Sequence, residues 1–97
     1  MATPLTPAEI RTALAGLAGW TLAGDALEKT FTFGGFREAF SFMTRVAFEA
    51  EALDHHPEWT NVYRRVTVRL NTHDAGGQVT ARDVELARRI QAISWVG

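Results

Sequence analysis

Apolar positions along this 97-residue chain step at helical spacing, then alternate, and the cycle repeats before a last helical run. Thr6-Pro7-Ala8-Glu9 reads as a capping box with proline at the first helical position. Ile10, Leu14 and Leu17 follow at helical spacing until Gly16 and Gly19 weaken and end the run, so a helix is expected over about 7–18. Trp20-Thr21-Leu22 suits a short strand and Gly24-Asp25 a turn. From there Leu27, Lys29, Phe31 and Phe33 face one way and Glu28, Thr30 and Thr32 the other. That is a half-buried strand, and 20–24 with 27–33 predicts a hairpin.

Gly34-Gly35 breaks the chain before a long helix, about 36–52. Phe36, Ala39, Phe40, Met43, Val46, Ala47 and Ala50 form its expected inner stripe, with Phe42 and Phe48 off it. The two off-stripe rings read either as a wide buried face or as a surface shared with a second subunit. Asp54-His55-His56-Pro57 ends the helix, because the residue before proline disfavours helical dihedrals. The segment 59–72 is strand-like, but its phase slips: Trp59, Asn61 and Tyr63 share one parity, Val66, Val68 and Leu70 the other. A one-residue slip exchanges the faces, so two strands are expected, split at Arg64-Arg65. Asp74-Ala75-Gly76-Gly77 is a loop. Thr80 caps a last helix over 81–93, with Asp83 as a first-turn acidic partner of the helix dipole and Val84, Ala87, Ile90 and Ile93 inward. The order is α-β-β-α-β-β-α. Hairpins dominate, so the fold class is α+β, an antiparallel sheet with the helices on one face, in a single domain spanning 1–97.

Composition removes several functions. A net charge of −1 from 10 basic and 11 acidic residues lacks the basic excess of a nucleic-acid binder. No cysteine is present, which excludes disulfides and thiolate chemistry, thiolate zinc sites included. The stretch from Met1 to Pro7 has no basic region leading into an apolar one, and the longest uncharged apolar run, Leu14 to Ala23, is too short to span a membrane. The expectation is a cytoplasmic protein with no membrane partner.

The candidate chemistry is histidine chemistry. There are three histidines: His55 and His56 in the turn after the long helix, and His73 where a strand meets the glycine loop. Loops on a rigid scaffold are where functional side chains gather, and imidazole can give or take a proton near neutral pH. Glu51, Asp54 and Asp74 lie close in sequence; a carboxylate beside a histidine favours its charged form and fixes its tautomer. Three histidines would also suffice for a catalytic zinc. Adjacent histidines, however, project in divergent directions, unlike ligand pairs spaced on one helix face. Acid–base use without a metal is the reading taken.

The run Glu51-Ala52-Leu53-Asp54-His55-His56-Pro57-Glu58-Trp59-Thr60-Asn61-Val62-Tyr63 resembles the signature of the pterin-4a-carbinolamine dehydratases. That pattern continues through Thr72-His73 to Asp83, and the similarity extends from about Trp20 to Ile90. The resemblance implies a four-stranded antiparallel sheet with three helices and assembly as a homodimer or homotetramer. It implies loss of water from a 4a-hydroxytetrahydropterin to give a quinonoid dihydropterin, after a pterin-dependent aromatic amino-acid hydroxylase, with no cofactor and no metal. It casts His55, His56 and His73 as catalytic and Glu51, Asp54, Pro57, Trp59, Thr72 and Asp83 as substrate-binding. Some proteins of this fold resemble binding or assembly modules, and some animal members double as transcriptional coactivators. A non-catalytic dimeric module is therefore the alternative, though retention of all three histidines speaks for the enzyme.

Overall fold

The computed structural model describes residues 3–96; Met1 and Ala2, where the reading for a leader begins, lie outside them with Gly97. Its elements are α1 (Pro7–Ala15), β1 (Thr21–Ala23), β2 (Ala26–Thr32), α2 (Phe36–Leu53), β3 (Glu58–Val62), β4 (Arg65–Leu70), a 3-10 turn (His73–Ala75) and α3 (Ala81–Ile93). The strands form one antiparallel sheet in the order β1-β2-β4-β3. Leu27, Phe31, Val66, Val68 and Leu70 line its inner face and join buried residues of all three helices in one apolar cluster. The outer face is polar, with Thr30 and Thr67 bonded hydroxyl to hydroxyl across β2 and β4 at 2.9 Å. The expected element order and one-sided helix layer are therefore present. Among the described residues no helix is long and apolar enough to cross a membrane.

Helix α1 stops at Ala15, three residues short of the expected end. The Gly16 N–H closes its last turn on Ala13 and Leu14, and Gly19 then takes a left-handed φ of +82°. The Lys29 ammonium, on the inner face of β2, reaches this turn, donating to the Ala18 carbonyl at 2.7 Å and to Gln91 Oε1 at 2.9 Å. A Cβ on Gly19 would come within 2.9 Å of the lysine side chain, so glycine serves both the backbone and the close approach. Burial lowers the pKa of Lys29 from its ordinary value.

Helix α2 is rotated relative to the expected stripe. Ala39, Phe42, Val46 and Ala50 are buried, whereas Phe36, Phe40 and Phe48 are 51%, 57% and 71% exposed. The sheet decides the rotation. Phe31 and Phe33 project two rings at α2, and Phe42 packs against both, with ring centroids 4.7 Å and 4.9 Å away. Ala39 and Ala50 on the same face let the helix approach closely. Phe42 therefore belongs to the core, and the exposed rings form a separate face.

The β3–β4 turn lies one residue earlier than expected. Val62 pairs with Arg65, so Tyr63 and Arg64 make the turn, with Tyr63 at a φ of +52°. The Asn61 side-chain amide fixes it, donating to the Tyr63 carbonyl at 3.2 Å and the Arg65 carbonyl at 2.9 Å. β4 ends at Leu70, and Thr72 instead forms a single bridge to Gln78. In α3, Leu86 is buried beside the expected Val84, Ala87 and Ile90, while Ile93 is only partly covered.

Candidate active site

The C-terminus of α2 sets the geometry. Asp54 adopts a left-handed conformation (φ 49°, ψ 45°), and its N–H bonds to carbonyls of the last turn. The His55 N–H follows, donating to the Ala50 carbonyl at 3.0 Å. Aspartate is among the few non-glycine residues that enter this region readily. The reversal sends the adjacent histidines in different directions. His55 turns into the protein and is 7% exposed; His56 stays on the surface.

Each ring meets a carboxylate through Nε2. His55 bonds to Asp83 Oδ1 at 2.5 Å and His56 to Glu51 Oε1 at 2.6 Å. The two pairs have different settings. Asp83 is fully buried, whereas the side chains of His56 and Glu51 are 57% and 76% exposed. The other Asp83 oxygen, Oδ2, accepts from the Thr72 hydroxyl at 2.7 Å and from the Thr80 N–H at 2.8 Å. Asp83 thus acts as the third residue of a capping box at α3, and a dipole partnership alone understates its role. One carboxylate joins the α2 turn, the end of the sheet and the start of α3.

His73 comes to the same place from the sheet. Thr72 is buried and is tied down by its N–H to the Gln78 carbonyl at 2.9 Å, while its own carbonyl accepts from Ala75 and Gly77 at 3.0 Å each. Gly76 and Gly77 take φ values of +69° and +78°, which let the loop close on Thr72. His73 opens the 3-10 turn and remains exposed. A cleft of about 350 Å³ lies between these segments. Of the residues picked out from sequence it is lined by Asp54, His55, His56, Pro57, Thr72 and His73.

Three do not line it. Glu51 acts at one remove, through His56. Asp83 lies behind His55, with both oxygens engaged inside the protein. Trp59 is half-buried against the apolar cluster on the inner face of β3, where an aromatic with alternating neighbours belongs to the core. The cleft walls also include Asp74, noted from sequence only as a carboxylate near the histidines, and Glu58, Asn71 and Arg82, which were not singled out as site residues. Arg82 donates from Nη2 to the Asp54 carbonyl at 2.5 Å, pinning the histidine turn to α3. Thr80 was read only as a helix cap; its hydroxyl lies 2.6 Å from that of Thr72. The spacing Thr80-x-x-Asp83 was the available signal for a reciprocal cap. Among the described residues no group of three or more His, Cys, Asp or Glu side chains is arranged to hold a metal ion. A larger groove, about 600 Å³, lies beyond Arg82 and is lined in part by Leu5, Glu9 and Thr80; it contains no histidine.

A small α+β domain with a polar cleft edged by three imidazoles and backed by a buried carboxylate has the equipment of an acid–base enzyme. The family model for pterin 4 alpha carbinolamine dehydratase matches residues 3–93. A relative from Opitutus terrae, assigned by name to the pterin-4-alpha-carbinolamine dehydratases, is 70% identical over 97 residues, all of both chains. One of the same name from Bradyrhizobium diazoefficiens is 57% identical over 96 residues, covering 97% of this chain and 95% of its own. Among solved structures, a transcriptional coactivator/pterin dehydratase from Brucella melitensis superposes with a TM-score of 0.88 at 44% identity, covering 93% of this chain and 97% of that one. The chain belongs to the pterin-4a-carbinolamine dehydratase family, a family of hydro-lyases.

The two histidine pairs predict different energetics. Removing one partner of a buried, hydrogen-bonded pair costs about 3–5 kcal/mol, and an exposed pair contributes about 0–1 kcal/mol. Urea denaturation should therefore show His55→Ala destabilised by about 3–5 kcal/mol and His56→Ala by less than about 1 kcal/mol. Equal losses would contradict the assignment of buried and exposed partners.

Proposed function

We propose that the cleft removes water from a 4a-hydroxytetrahydropterin, giving a quinonoid dihydropterin, with histidines as general acid and base. The observation that carries this reading is that His55, His56 and His73, from two separate segments, edge one cleft. The chemistry asks for little else. The departing hydroxyl takes a proton, the lone pair of a ring nitrogen drives C–O cleavage, and a ring nitrogen then loses a proton. Imidazoles suit both transfers near neutral pH, and positioned acid–base groups each contribute about 10²–10⁴-fold. A cleft of about 350 Å³ suits a bicyclic ring. Asp54 and Glu58 at its walls accept hydrogen bonds from ring N–H groups, and Glu51 orients His56. Upstream stands a reaction that installs the 4a-hydroxyl, such as a pterin-dependent aromatic amino-acid hydroxylase, so the activity serves recovery of the tetrahydropterin.

A second reading concerns assembly. Phe36, Phe40 and Phe48 leave an apolar face on α2 uncovered, and the Brucella melitensis relative is named a coactivator as well as a dehydratase. That face supports pairing with a second copy of the chain, as a homodimer or larger homo-oligomer. It is separate from the histidine cleft, so assembly and catalysis do not compete for residues.

Both proposals have direct tests. With the carbinolamine generated by a pterin-dependent hydroxylase, the purified protein should speed the appearance of quinonoid dihydropterin absorbance over the spontaneous rate, with chelator present. His55→Gln keeps an amide donor for Asp83 and loses the imidazole; it and His73→Ala should each lower kcat about 10²-fold or more. A folded protein that gives no acceleration would rule out the dehydratase reading. Sedimentation velocity should show a dimer or larger species that dissociates when Phe40→Glu and Phe48→Glu are combined; a monomeric wild type would end the assembly reading.

A further inference from the structure

The hydroxyls behind His55 can be ordered by counting protons. Each threonine has one hydroxyl proton, and a carboxylate is acceptor only. Thr72 gives its proton to Asp83 Oδ2. The 2.6 Å contact between the Thr72 and Thr80 hydroxyls therefore takes its proton from Thr80. Thr80 Oγ1 in turn accepts the Arg82 N–H at 3.2 Å. The chain runs one way: Arg82 N–H to Thr80, Thr80 O–H to Thr72, Thr72 O–H to Asp83. At its far end Asp83 Oδ1 accepts from His55 Nε2–H. Thr72, Thr80 and Asp83 are all at most 2% exposed, so water does not replace a missing member. With Nε2 held as a donor, Nδ1 is the nitrogen of neutral His55 whose lone pair is left for a proton.

We propose that Thr80 is a positioning residue for the dehydration: its hydroxyl, acting through Thr72 and Asp83, fixes the His55 ring and the tautomer that exchanges protons in the cleft. Catalysis requires a side chain that caps α3 and also donates a proton. The inference rests on the dehydratase reading for its kinetic consequence and on hydrogen bonding alone for its structural one. Thr80 is thus set apart from Thr6, which caps α1 in the same Thr-x-x-Glu/Asp manner but faces solvent and no histidine.

The experiment compares wild type with Thr80→Val, Thr80→Ser and Thr6→Val. Steady-state kinetics use hydroxylase-generated 4a-hydroxytetrahydropterin, and ¹⁵N–¹H correlation spectra follow the imidazole nitrogens. Thr80→Val, which keeps shape and loses the hydroxyl, should lower kcat about tenfold, within the range for groups that orient an active residue, with KM changed less than about twofold. Thr80→Ser should restore kcat to within about twofold of wild type, since it restores the donor. Thr6→Val should leave both constants at wild type. The protected His55 Nε2–H signal should broaden or vanish in Thr80→Val and remain in the other two. Wild-type kcat and an undisturbed His55 signal in folded Thr80→Val would overturn the proposal, as would an equal loss in Thr6→Val. If wild type proves inactive on the pterin, the dehydratase reading fails, and the imidazole spectra decide the hydroxyl chain by themselves.

Discussion

A carboxylate taken out of water must collect hydrogen-bond donors, because an isolated buried charge costs far more than a domain of this size can spare. Asp83 has no solvent exposure and collects three donors: the His55 ring, the Thr72 hydroxyl and the Thr80 amide. They come from the turn after α2, the segment just past β4 and the cap of α3, which lie 28, 11 and 3 positions from Asp83 in the chain and meet in the fold. Satisfying this one group holds the three segments in register. The network is complete, for among the described residues no buried side-chain nitrogen or oxygen lacks a partner. A fully satisfied buried network favours one arrangement over its alternatives, whereas a half-satisfied one would be worse than an apolar core.

The same constraint sorts the histidines by setting. His55 is buried against a partner that is itself held by two further hydrogen bonds. His56 shares an exposed contact with Glu51, and His73 stands on a loop whose backbone is fixed at Thr72. One buried, clamped ring and two exposed ones therefore edge a single cleft. The clamp sits on the sheet and helix termini, while the apolar cluster below supplies rigidity. Phe31, Phe33 and Phe42 lock α2 against the sheet and so fix where its last turn delivers Asp54 and His55.

Much of this was legible in the sequence. Local signals carried their elements: Thr6 and Thr80 marked helix starts, the alternation around Phe31 marked β2, and the phase slip near Arg64 marked a hairpin. Errors arose where a long-range contact chose between local options. Phe36 and Phe40 fit a helical stripe as well as Phe42 does, and only the rings of Phe31 on β2 and Phe33 just beyond it select Phe42. The β3–β4 turn shifted by one residue because of the Asn61 side chain, which alternation does not register. The histidines and the cleft's sequence neighbours were visible as a pattern, but Asp83 looked like a partner for a ligand or a dipole. That it turns inward to His55, 28 positions away in the chain, follows from packing α3 beside the end of α2. Arg82 and Asn71 had no spacing signal to mark them.

The most direct test of the account is a crystal structure with a dihydropterin bound. The ring should lie in the cleft between His55, His56 and His73, with a ring nitrogen or the 4a position within hydrogen-bonding or proton-transfer reach of an imidazole, and His55 still bonded to Asp83. A ligand seated in the larger groove beyond Arg82, with no imidazole near its ring, would contradict the account.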